Sequence, residues 1–476
     1  METNRKKRYI RGEGNRSMGI HRIRPWIIPI GLSPEFRKNN LSPLFLVYGF
    51  AGVIGLGTFL LWLPISNDGN TFTPVLDALF TAASAVCVTG LIVVDTGTYW
   101  STFGQGVILG LIQIGGFGFM TSATLLLLAL GRRINLRERM LIAESMGLGT
   151  LGGLVKLVRR IAVFTFVFEF LGAALFYIRF SDGNSIGAAA WRSIFHSISA
   201  FNNAGFDIFG NFQSLTHYHD DVLVVLVTAA LVIIGGISFL VFSDIISFRR
   251  FSHYTLDSKM VLVVSAILLI TGTGVILLTE YSRSATMGNL PVHEKLLDAF
   301  FQSVTSRTAG FSTIDMSQAA DYTLFFTILL MFVGGAVGST AGGIKVNTFG
   351  IILHTIWSSI KGREHPEAFG RELIPQQIHR GLAVAMLSMG FITLIALVLT
   401  ISEDFTFLKL LFETVSAFGT VGLSTGITPG LSEAGKSVII FTMFVGRLGP
   451  LALILALIAH QQKRSYRYPQ ANIRIG

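Results

Sequence analysis

The sequence predicts an all-α membrane protein of four tandem M1–P-loop–M2 repeats, with eight transmembrane helices and four re-entrant half-helices around a single central pore. Three observations predict this fold class. The composition is strongly apolar, the apolar segments are long enough to cross a bilayer, and one glycine-ended turn recurs four times at intervals of roughly 110 residues. Four backbone turns around one axis can replace the water shell of a cation with carbonyl oxygens.

The composition indicates a membrane protein. Hydrophobic residues make up 51% of the chain and charged residues 13%, and the mean hydropathy is +0.62. Soluble domains average about 25% charged residues, and a helix needs about 20 apolar residues to cross the bilayer. The segments that meet this length are approximately 44–64, 102–130, 155–180, 221–248, 258–279, 322–358, 379–401 and 435–460.

The placement of the charges predicts the topology. The net charge is +10, and 28 of the 37 Lys and Arg residues fall on one side if the chain crosses the membrane eight times. By the positive-inside rule, both termini are cytoplasmic and the protein is a multi-pass protein of the cell membrane. This distribution favours membrane lipid as a partner and argues against nucleic acid. Three cations remain at membrane depth: Arg307, Lys345 and Arg447.

The chain divides into four repeats between two tails. The repeats are 44–130, 155–250, 258–360 and 379–462, the basic N-terminal tail is 1–43 and the C-terminal tail is 463–476. The N-terminal tail suits contact with either anionic lipid or a protein partner. Cys87 is the only cysteine, so an intrachain disulfide and a cysteine-based metal site are both excluded.

Each repeat contains a short apolar segment that ends in the recurring glycine. Ten residues before the glycines stand aromatic residues, and six before stand Ser84, Ser199, Val304 and Ser416. About ten apolar residues are too few to span the membrane, which predicts a half-helix that returns as extended backbone. Plain hairpins between helices are the alternative, but four segments in register between long spans favour the half-helix. The aromatic residues are Phe80, Phe195, Phe300 and Phe412.

The four turns predict a selectivity filter that binds K+ through backbone carbonyls. Their side chains are mostly neutral, so a filter made of a ring of carboxylates is not expected. Asp95, Asp207 and Asp315 follow the turns, where they either concentrate cations or are ordinary loop acids; taken singly, each fits the second role slightly better. The filter residues are Val86, Cys87, Val88, Thr89, Gly90, Asn202, Asn203, Ala204, Gly205, Arg307, Thr308, Ala309, Gly310, Gly419, Thr420, Val421 and Gly422.

A second repeated pattern lies about 24 to 30 residues beyond the filter glycines. Gly115-Gly116, Gly235-Gly236 and Gly334-Gly335 align with Gly446-Arg447. A lone cation in the middle of a membrane segment is usually functional. Arg447 is interpreted as an electrostatic barrier below the filter, in preference to an ion pair that holds neighbouring helices.

The third repeat contains a glycine-rich break in its second span. Five glycines in this stretch disfavour a helix, since each costs about 1 kcal/mol relative to Ala. The break is predicted to form a loop that plugs the pore and moves aside; small-residue helix packing is the alternative. With Arg447, the predicted gate residues are Gly334, Gly335, Ala336, Val337, Gly338, Ser339, Thr340, Ala341, Gly342, Gly343 and Lys345.

The sequence also predicts where three charged side chains lie. Arg307 lies in the third turn, where its charge would repel a cation on the axis, so its side chain is expected behind the filter, paired with an acid. Glu413 is the suggested partner. Glu169 is the acid deep in a span and is expected to pack beside a half-helix.

Together these residues resemble the Trk/Ktr/HKT superfamily of cation translocators. The resemblance covers about residues 42–462 and rests on the four filter glycines, the glycine-rich break and Arg447. The chain looks most similar to the KtrB group, the membrane subunits of bacterial Ktr systems. The resemblance implies K+ uptake by a homodimer under control of a cytosolic RCK/KtrA-type nucleotide-binding ring. Some relatives with Ser at the first filter position pass Na+, and Gly90 therefore favours K+.

The predicted function is K+-selective uptake down the electrochemical gradient, with K+ as the permeant ion, Na+ as a possible activator and no covalently bound cofactor. An enzyme is not expected, because no nucleophile–base pair or metal-ligand cluster lies at membrane depth. The alternatives are an ion-coupled solute carrier built from inverted repeats and a Na+/K+ translocator of the same superfamily. Successive units here follow an even number of predicted crossings, which makes them parallel and disfavours the carrier.

Overall fold

The structure, a computed structural model, is almost entirely α-helical. It describes residues 44–118, 121, 122, 124, 125, 128, 153–183, 185–248 and 250–449. Both predicted tails, and parts of the segments expected at 102–130 and 435–460, lie outside the described residues. The helices are α1 Leu44–Trp62, α2 Val75–Cys87, α3 Thr96–Tyr99, α4 Thr102–Phe117, α5 Leu154–Phe180, α6 Ile186–Phe201, α7 Val222–Gly236, α8 Phe239–Ser247, α9 Leu256–Glu280, α10 Val292–Thr305, α11 Asp321–Met331, α12 Val346–Ile360, α13 Pro375–Ser402, α14 Phe407–Gly419 and α15 Glu433–Leu448.

A short antiparallel hairpin connects α12 to α13. Its strands are β1 (Glu367–Ala368) and β2 (Arg371–Glu372), with Ala368 opposite Arg371. Phe369 and Gly370 form the turn, and both have positive φ. Two residues per strand make this hairpin a connection rather than a separate layer.

Long apolar helices cross the fold in several places. Within the described residues, α5, α9 and α13 are each long and apolar enough to cross a membrane, and the pair α7–α8 would be a fourth. The span expected at 221–248 is not one continuous helix, because α7 and α8 are bent by 96°. Ser238 lies at the bend with φ of 27°, and its hydroxyl accepts a hydrogen bond from the Leu240 amide. The side chain therefore starts a new helix instead of continuing the old one.

Two other helices end at a glycine. α4 ends at Phe117, where Gly118 has a φ of 76°, and α15 ends at Leu448, where Gly449 has a φ of 84°. A glycine in the left-handed half of φ space commonly ends a helix. The positive φ of each glycine therefore accounts for the end of the helix before it.

Side-chain caps fix where α4, α7 and α15 begin. Ser101 and Ser432 accept hydrogen bonds from the amides of Gly104 and Gly435, at 3.3 and 3.1 Å. Asp221 caps α7 in the same way. These caps satisfy amides that a helix N-terminus leaves unpaired.

The four shorter helices α2, α6, α10 and α14 end directly before the recurring turns. Phe80, Phe195 and Phe412 on three of them are fully buried. On the remaining helix, α10, Phe301 is fully buried while Phe300 is only partly buried. The predicted column of aromatic residues is therefore shifted by one residue in this repeat. α15 also contacts α2 through an ion pair of 2.8 Å between Lys436 and Asp77, so that the end of the described chain packs against its beginning.

Candidate functional site

The four turns share an unusual backbone geometry. The residue two before each glycine has positive φ, and so does the glycine itself. The non-glycine φ values are 57° at Val88, 57° at Asn203, 79° at Thr308 and 49° at Thr420, and the glycine values are 88°, 70°, 80° and 92°. Left-handed backbone costs an L-residue about 1–2 kcal/mol, so surrounding contacts must hold this geometry.

Hydroxyl groups in the half-helices provide those contacts. The Ser84 and Ser416 hydroxyls each accept a hydrogen bond of 3.1 Å from the amide of the filter glycine. Ser199 instead donates to the Phe206 carbonyl at 2.6 Å. In the third repeat Val304 fills the serine position, and the neighbouring Thr305 donates to the Phe311 carbonyl at 2.6 Å. These residues were not predicted as site residues, although their aligned column in the sequence was the available signal.

The structure brings the four predicted turns together in a closed ring. A Cβ atom placed on Gly205 would lie 2.9 Å from the Ala309 carbonyl oxygen and 3.1 Å from the Gly310 Cα. A Cβ atom on Gly310 would in turn lie 2.6 Å from the Val421 oxygen. The same overlap would occur between Gly90 and Ala204, and between Gly422 and Thr89. Each glycine therefore faces the carbonyl of the next turn, and side chains are excluded from the centre.

Oxygen atoms of the main chain dominate this ring. The four carbonyls next to the glycines belong to Thr89, Ala204, Ala309 and Val421, and none of these residues carries a charge. A group of neutral oxygens without carboxylates suits a weakly hydrated monovalent cation.

A cavity of about 590 Å³, called the outer cavity below, lies on one side of the ring. All four glycines line it, together with Asp207 and Asp315, and no Lys or Arg is among its described lining residues. Asp207 accepts a hydrogen bond of 3.1 Å from the Phe209 amide. Burial raises the pKa of Asp207 to about 7, and the charge of Asp95 adds to this effect.

The three acids named from the sequence differ in their contacts. Asp95 accepts hydrogen bonds from the amides of Thr98 and Phe212, at 2.8 and 2.7 Å, and therefore acts as an ordinary capping acid. Asp315 caps the Ser317 amide at 2.9 Å and is exposed. Asp207 is partly buried and lines the cavity above the ring.

On the other side of the ring, residues 332–345 form a non-helical loop between α11 and α12. The Gly334 amide donates to the Ile344 carbonyl at 2.8 Å, which closes the base of the loop. The amides of Ala336 and Thr340 donate to the carbonyls of Gly236 and Gly235, at 3.0 and 3.4 Å. The loop thereby caps the end of α7, which explains why that helix stops there.

Arg447 ties this loop to two helices. Its guanidinium donates to the carbonyls of Thr340 in the loop and Gly115 at the end of α4. Lys345 donates to the Ala341 carbonyl. Both cations line an inner cavity of about 300 Å³. The salt bridges of the described residues include none with Arg447, so the ion pair weighed as an alternative for it is replaced by carbonyl contacts.

The suggested pairing of Arg307 with Glu413 is wrong. Arg307 points away from the ring and donates to the Ser265 hydroxyl at 3.0 Å and the Gly334 carbonyl at 3.5 Å. The Glu413 carboxylate accepts hydrogen bonds from Ser424, Thr425 and Thr428 instead. These hydroxyl and amide groups lie close to Glu413 in its own repeat, and they satisfy its oxygens without a distant cation.

Glu169 packs beside a half-helix, as expected. Its carboxylate accepts a hydrogen bond of 2.9 Å from Asn202, the residue at the end of α6. Asn202 also donates to Gln113 at 3.2 Å. This buried polar group connects α4, α5 and α6 beneath the second turn.

The second glycine pattern has a packing explanation. A Cβ atom on Gly115 would overlap the Val86 carbonyl, one on Gly235 the Phe201 carbonyl and one on Gly446 the Phe418 carbonyl. Each of those carbonyls belongs to the residue four before a filter glycine. Glycine there allows the following helix to approach the end of the half-helix closely.

These features define a class of protein: a helical membrane protein with a narrow carbonyl ring between an outer acidic cavity and an inner cavity lined by cations. Comparison with known proteins identifies the family. Residues 44–468 match the model of the TrkH family, described as cation transport protein, and the chain belongs to this family. It is thus a transport protein rather than an enzyme, and its predicted superfamily is confirmed.

Several curated relatives are similar over nearly their whole length. The Ktr system potassium uptake protein B of Bacillus subtilis is 43% identical over 91% of this chain and 96% of its own. The potassium/sodium uptake protein NtpJ of Enterococcus hirae is 38% identical over 92% and 98%. The crystal structure of the potassium transporter TrkH from Vibrio parahaemolyticus matches with a TM-score of 0.67 at 20% identity, over 88% of this chain and 86% of that chain, which shows the shared fold.

Proposed function

We propose that this chain is the ion-translocating membrane subunit of a K+ uptake system. K+ moves down its electrochemical gradient through the ring of carbonyl oxygens at Thr89, Ala204, Ala309 and Val421. The observation that carries this proposal is the closure of the ring by four turns of one chain. Dehydrating K+ requires several oxygens at once, and one turn alone offers too few.

The four turns belong to four M1–P-loop–M2 repeats around one pore. The order of one helix, one short helix that ends at a turn, and a further helix supports this arrangement. The eight crossings place both termini in the cytoplasm. The outer cavity, which Asp207 and Asp315 line, then faces the outside of the cell, where its negative charge raises the local cation concentration.

The loop from Gly334 to Lys345, together with Arg447, is the gate. Its backbone lies against the ends of α4 and α7, and two cations line the cavity beside it. A cation in transit is repelled by these charges at close range. Opening requires the loop to leave the carbonyls of Gly235 and Gly236 and release Arg447.

Two copies of the chain form a homodimer controlled by a cytosolic RCK/KtrA-type nucleotide-binding ring. Support comes from relatives whose names place them in Ktr systems, such as potassium uptake protein B of Vibrio alginolyticus at 37% identity. Binding of the ring shifts the loop between closed and open positions.

Flux into vesicles that contain the purified chain tests the proposal. Under gradients of K+, Rb+ and Na+, uptake of K+ and Rb+ is expected to exceed that of Na+. Gly90→Ser places a side chain against the Ala204 carbonyl, so its discrimination against Na+ should fall. Gly110→Ala is the matched control, since a Cβ atom there meets nothing within 4 Å. An unchanged preference for K+ in the Gly90→Ser protein would contradict the filter assignment.

A Na+/K+ translocator is the second candidate. The relative named potassium/sodium uptake protein favours it. Equal K+ and Na+ fluxes through the unsubstituted protein would select this candidate. The ion-coupled solute carrier is disfavoured because the family is described as cation transport protein.

A further inference from the structure

A third cavity, called the lateral cavity below, lies between the second and third repeats. Its volume is about 220 Å³, and residues of α7, α9 and the end of α10 form its walls. It shares none of its described lining residues with the outer cavity or the inner cavity. Most of its lining side chains are apolar, and they include Val232, Ile233, Leu262, Leu269 and Val304.

Arg307 brings a positive charge to this apolar cavity. Its Nη2 atom donates to the Ser265 hydroxyl at 3.0 Å and to the Gly334 carbonyl at 3.5 Å, whereas its Nε atom is buried without a hydrogen-bond partner. The salt bridges of the described residues include none with Arg307. A buried charge is strongly disfavoured unless an opposite charge pairs with it.

The cavity walls supply no such opposite charge. Among the described lining residues, only Asn203, Ser265 and Arg307 have polar side chains, and none is an Asp or a Glu. The chemistry of the cavity therefore suits a ligand that is both anionic and largely apolar. Apolar walls with a few polar groups that fix orientation are typical of small-molecule sites.

The lateral cavity is accessible from the surface that α9 presents to the bilayer. Ala266 on α9 lines the cavity and is itself exposed. The nearby apolar side chains of Ile267 and Ile270 are 54% and 72% exposed, on a helix long and apolar enough to cross a membrane. Such an exposed apolar surface is covered by lipid in the bilayer. A molecule dissolved in the bilayer therefore reaches the cavity past Ala266 without entering the pore.

We propose that the lateral cavity binds a fatty acid from the bilayer, with its carboxylate on Arg307 and its acyl chain against the apolar walls. A carboxylate matches a guanidinium, because two parallel N–H groups can donate to its two oxygens. A fatty acid is favoured over a phospholipid, since its carboxyl group can move through the hydrocarbon in the neutral form, whereas a phosphodiester stays ionised. The cavity holds only part of an acyl chain, so the remainder extends past Ala266 into the bilayer.

The position of the lateral cavity predicts a regulatory role for this ligand. Arg307 donates to the carbonyl of Gly334, where the proposed gate begins, and Gly335 lines the cavity. A bound carboxylate fixes Arg307 and with it the base of the loop, so the fatty acid should lower K+ flux. This role rests on the proposed function, whereas binding of the fatty acid does not.

Photolabelling tests the binding site. The full chain in phosphatidylcholine nanodiscs is exposed to a palmitic acid analogue that carries a diazirine near its carboxyl group, and the labelled residues are identified by mass spectrometry. Label is expected on residues of the lateral cavity, such as Leu262 and Val304. Unlabelled palmitate should compete for these positions, whereas hexadecanol, which has the same chain without a carboxyl group, and chloride should not. Equal competition by hexadecanol, or competition by chloride, would overturn the site.

Two variants test the charge and the entrance separately. Arg307→Gln should need about tenfold more of the analogue for the same labelling, the size expected for loss of a charged hydrogen bond. Ala266→Trp keeps Arg307 and should block labelling of the cavity, which keeps the test decisive if Arg307→Gln does not fold. Ile267→Trp is the matched control, because it places the same ring on the lipid-facing surface outside the cavity. Undiminished labelling of the cavity in Ala266→Trp would overturn the site.

K+ flux into vesicles, measured with and without palmitate, tests the regulatory role. Palmitate should lower the flux through the unsubstituted protein and through Ile267→Trp, and it should have no effect on Ala266→Trp. Labelling of the cavity without any change in flux would reject the role. Absence of K+ flux altogether would reject the proposed function, while the labelling experiment would still decide whether the site exists.

Discussion

The two sides of the carbonyl ring differ in charge and in openness. The outer cavity measures about 590 Å³ and is lined by Asp207 and Asp315, whereas the inner cavity measures about 300 Å³ and is lined by Lys345 and Arg447. Under the proposed function, the acidic cavity collects cations, while the cavity lined by Lys345 and Arg447 repels them beside the loop.

Under the proposed function, this difference separates ion selection at the ring from gating at the loop. The ring and the outer side are built from turns held by local hydroxyl contacts within each half-helix. The inner side depends on contacts between repeats, such as Arg447 with Gly115 and Ala336 with Gly236. Contacts between repeats can be exchanged without disturbing the turns, which is what the proposed gate needs if it is to move while the proposed filter stays fixed.

The largest change in K+ flux is expected when a methyl group is placed inside the carbonyl ring. Gly422→Ala places a Cβ atom against the Thr89 carbonyl at a positive φ. Overpacking costs about 1–3 kcal/mol, and each 1.4 kcal/mol is a factor of about ten. K+ flux into vesicles should therefore fall about tenfold to 100-fold. Gly110→Ala should retain normal flux, and normal flux through Gly422→Ala would exclude the ring as the pathway.

Removal of the positive charge of Arg447 should raise the K+ flux instead of lowering it. Arg447→Gln takes away a charge that repels cations and weakens the hold on the loop. K+ flux should rise about tenfold, since a unit charge at a few ångströms changes a barrier by about 1–4 kcal/mol. Deletion of residues 337–341 should raise it as well.

Arg363→Gln is the control for the inner charge, because it removes a cation from an exposed pair with Glu367. It should leave flux unchanged. If neither Arg447→Gln nor the deletion raises flux in vesicles, the loop is not a gate.

A smaller effect, on the KM for K+, is expected from the ionisation of Asp207 in the outer cavity. Because the pKa of Asp207 is raised to about 7, its carboxylate is charged above that pH and neutral below it. The charge of Asp95 acts on Asp207, and Asp315 lines the same cavity. Lowering the external pH from 8 to 6 should therefore raise the KM for K+ by about fivefold, which corresponds to about 1 kcal/mol between charges in water.

Asp207→Asn should show the higher KM at both pH values, whereas Asp404→Asn should behave like the unsubstituted protein. The measurement is initial K+ uptake at varied external K+ and pH. A pH response that persists in Asp207→Asn would assign the effect to another group.

The smallest effect on stability and ion preference is expected from removing the serine hydroxyls that hydrogen-bond to the turns. Ser84→Ala removes the acceptor of the Gly90 amide, and Ser416→Ala does the same for Gly422. Each should cost about 1 kcal/mol of stability, with a modest loss of K+ over Na+ preference. Thermal unfolding and paired ion fluxes measure these changes, and the exposed Ser437→Ala should alter neither. A normal unfolding temperature for both serine variants would show that backbone contacts alone hold the turns.

Much of the fold was predictable from the chain itself. Long apolar segments, the glycine column and the position of the break in the third repeat depend on local composition. The bend within the span predicted at 221–248 has a nonlocal cause. The end of α7 is decided by amides of Ala336 and Thr340, which lie about 100 residues away in sequence.

The candidate site, like the fold, was predictable from the sequence only in part. The amino-acid sequence determined that four glycine turns exist, that their side chains are neutral and that a lone arginine lies near the fourth, because these are properties of residue type and spacing. Only the tertiary structure decided which groups meet. Arg447 contacts carbonyls of two other repeats, and Glu413 accepts hydrogen bonds from hydroxyls of its own repeat. Such contacts depend on how the helices pack, and a one-dimensional pattern holds no distance between residues of different repeats.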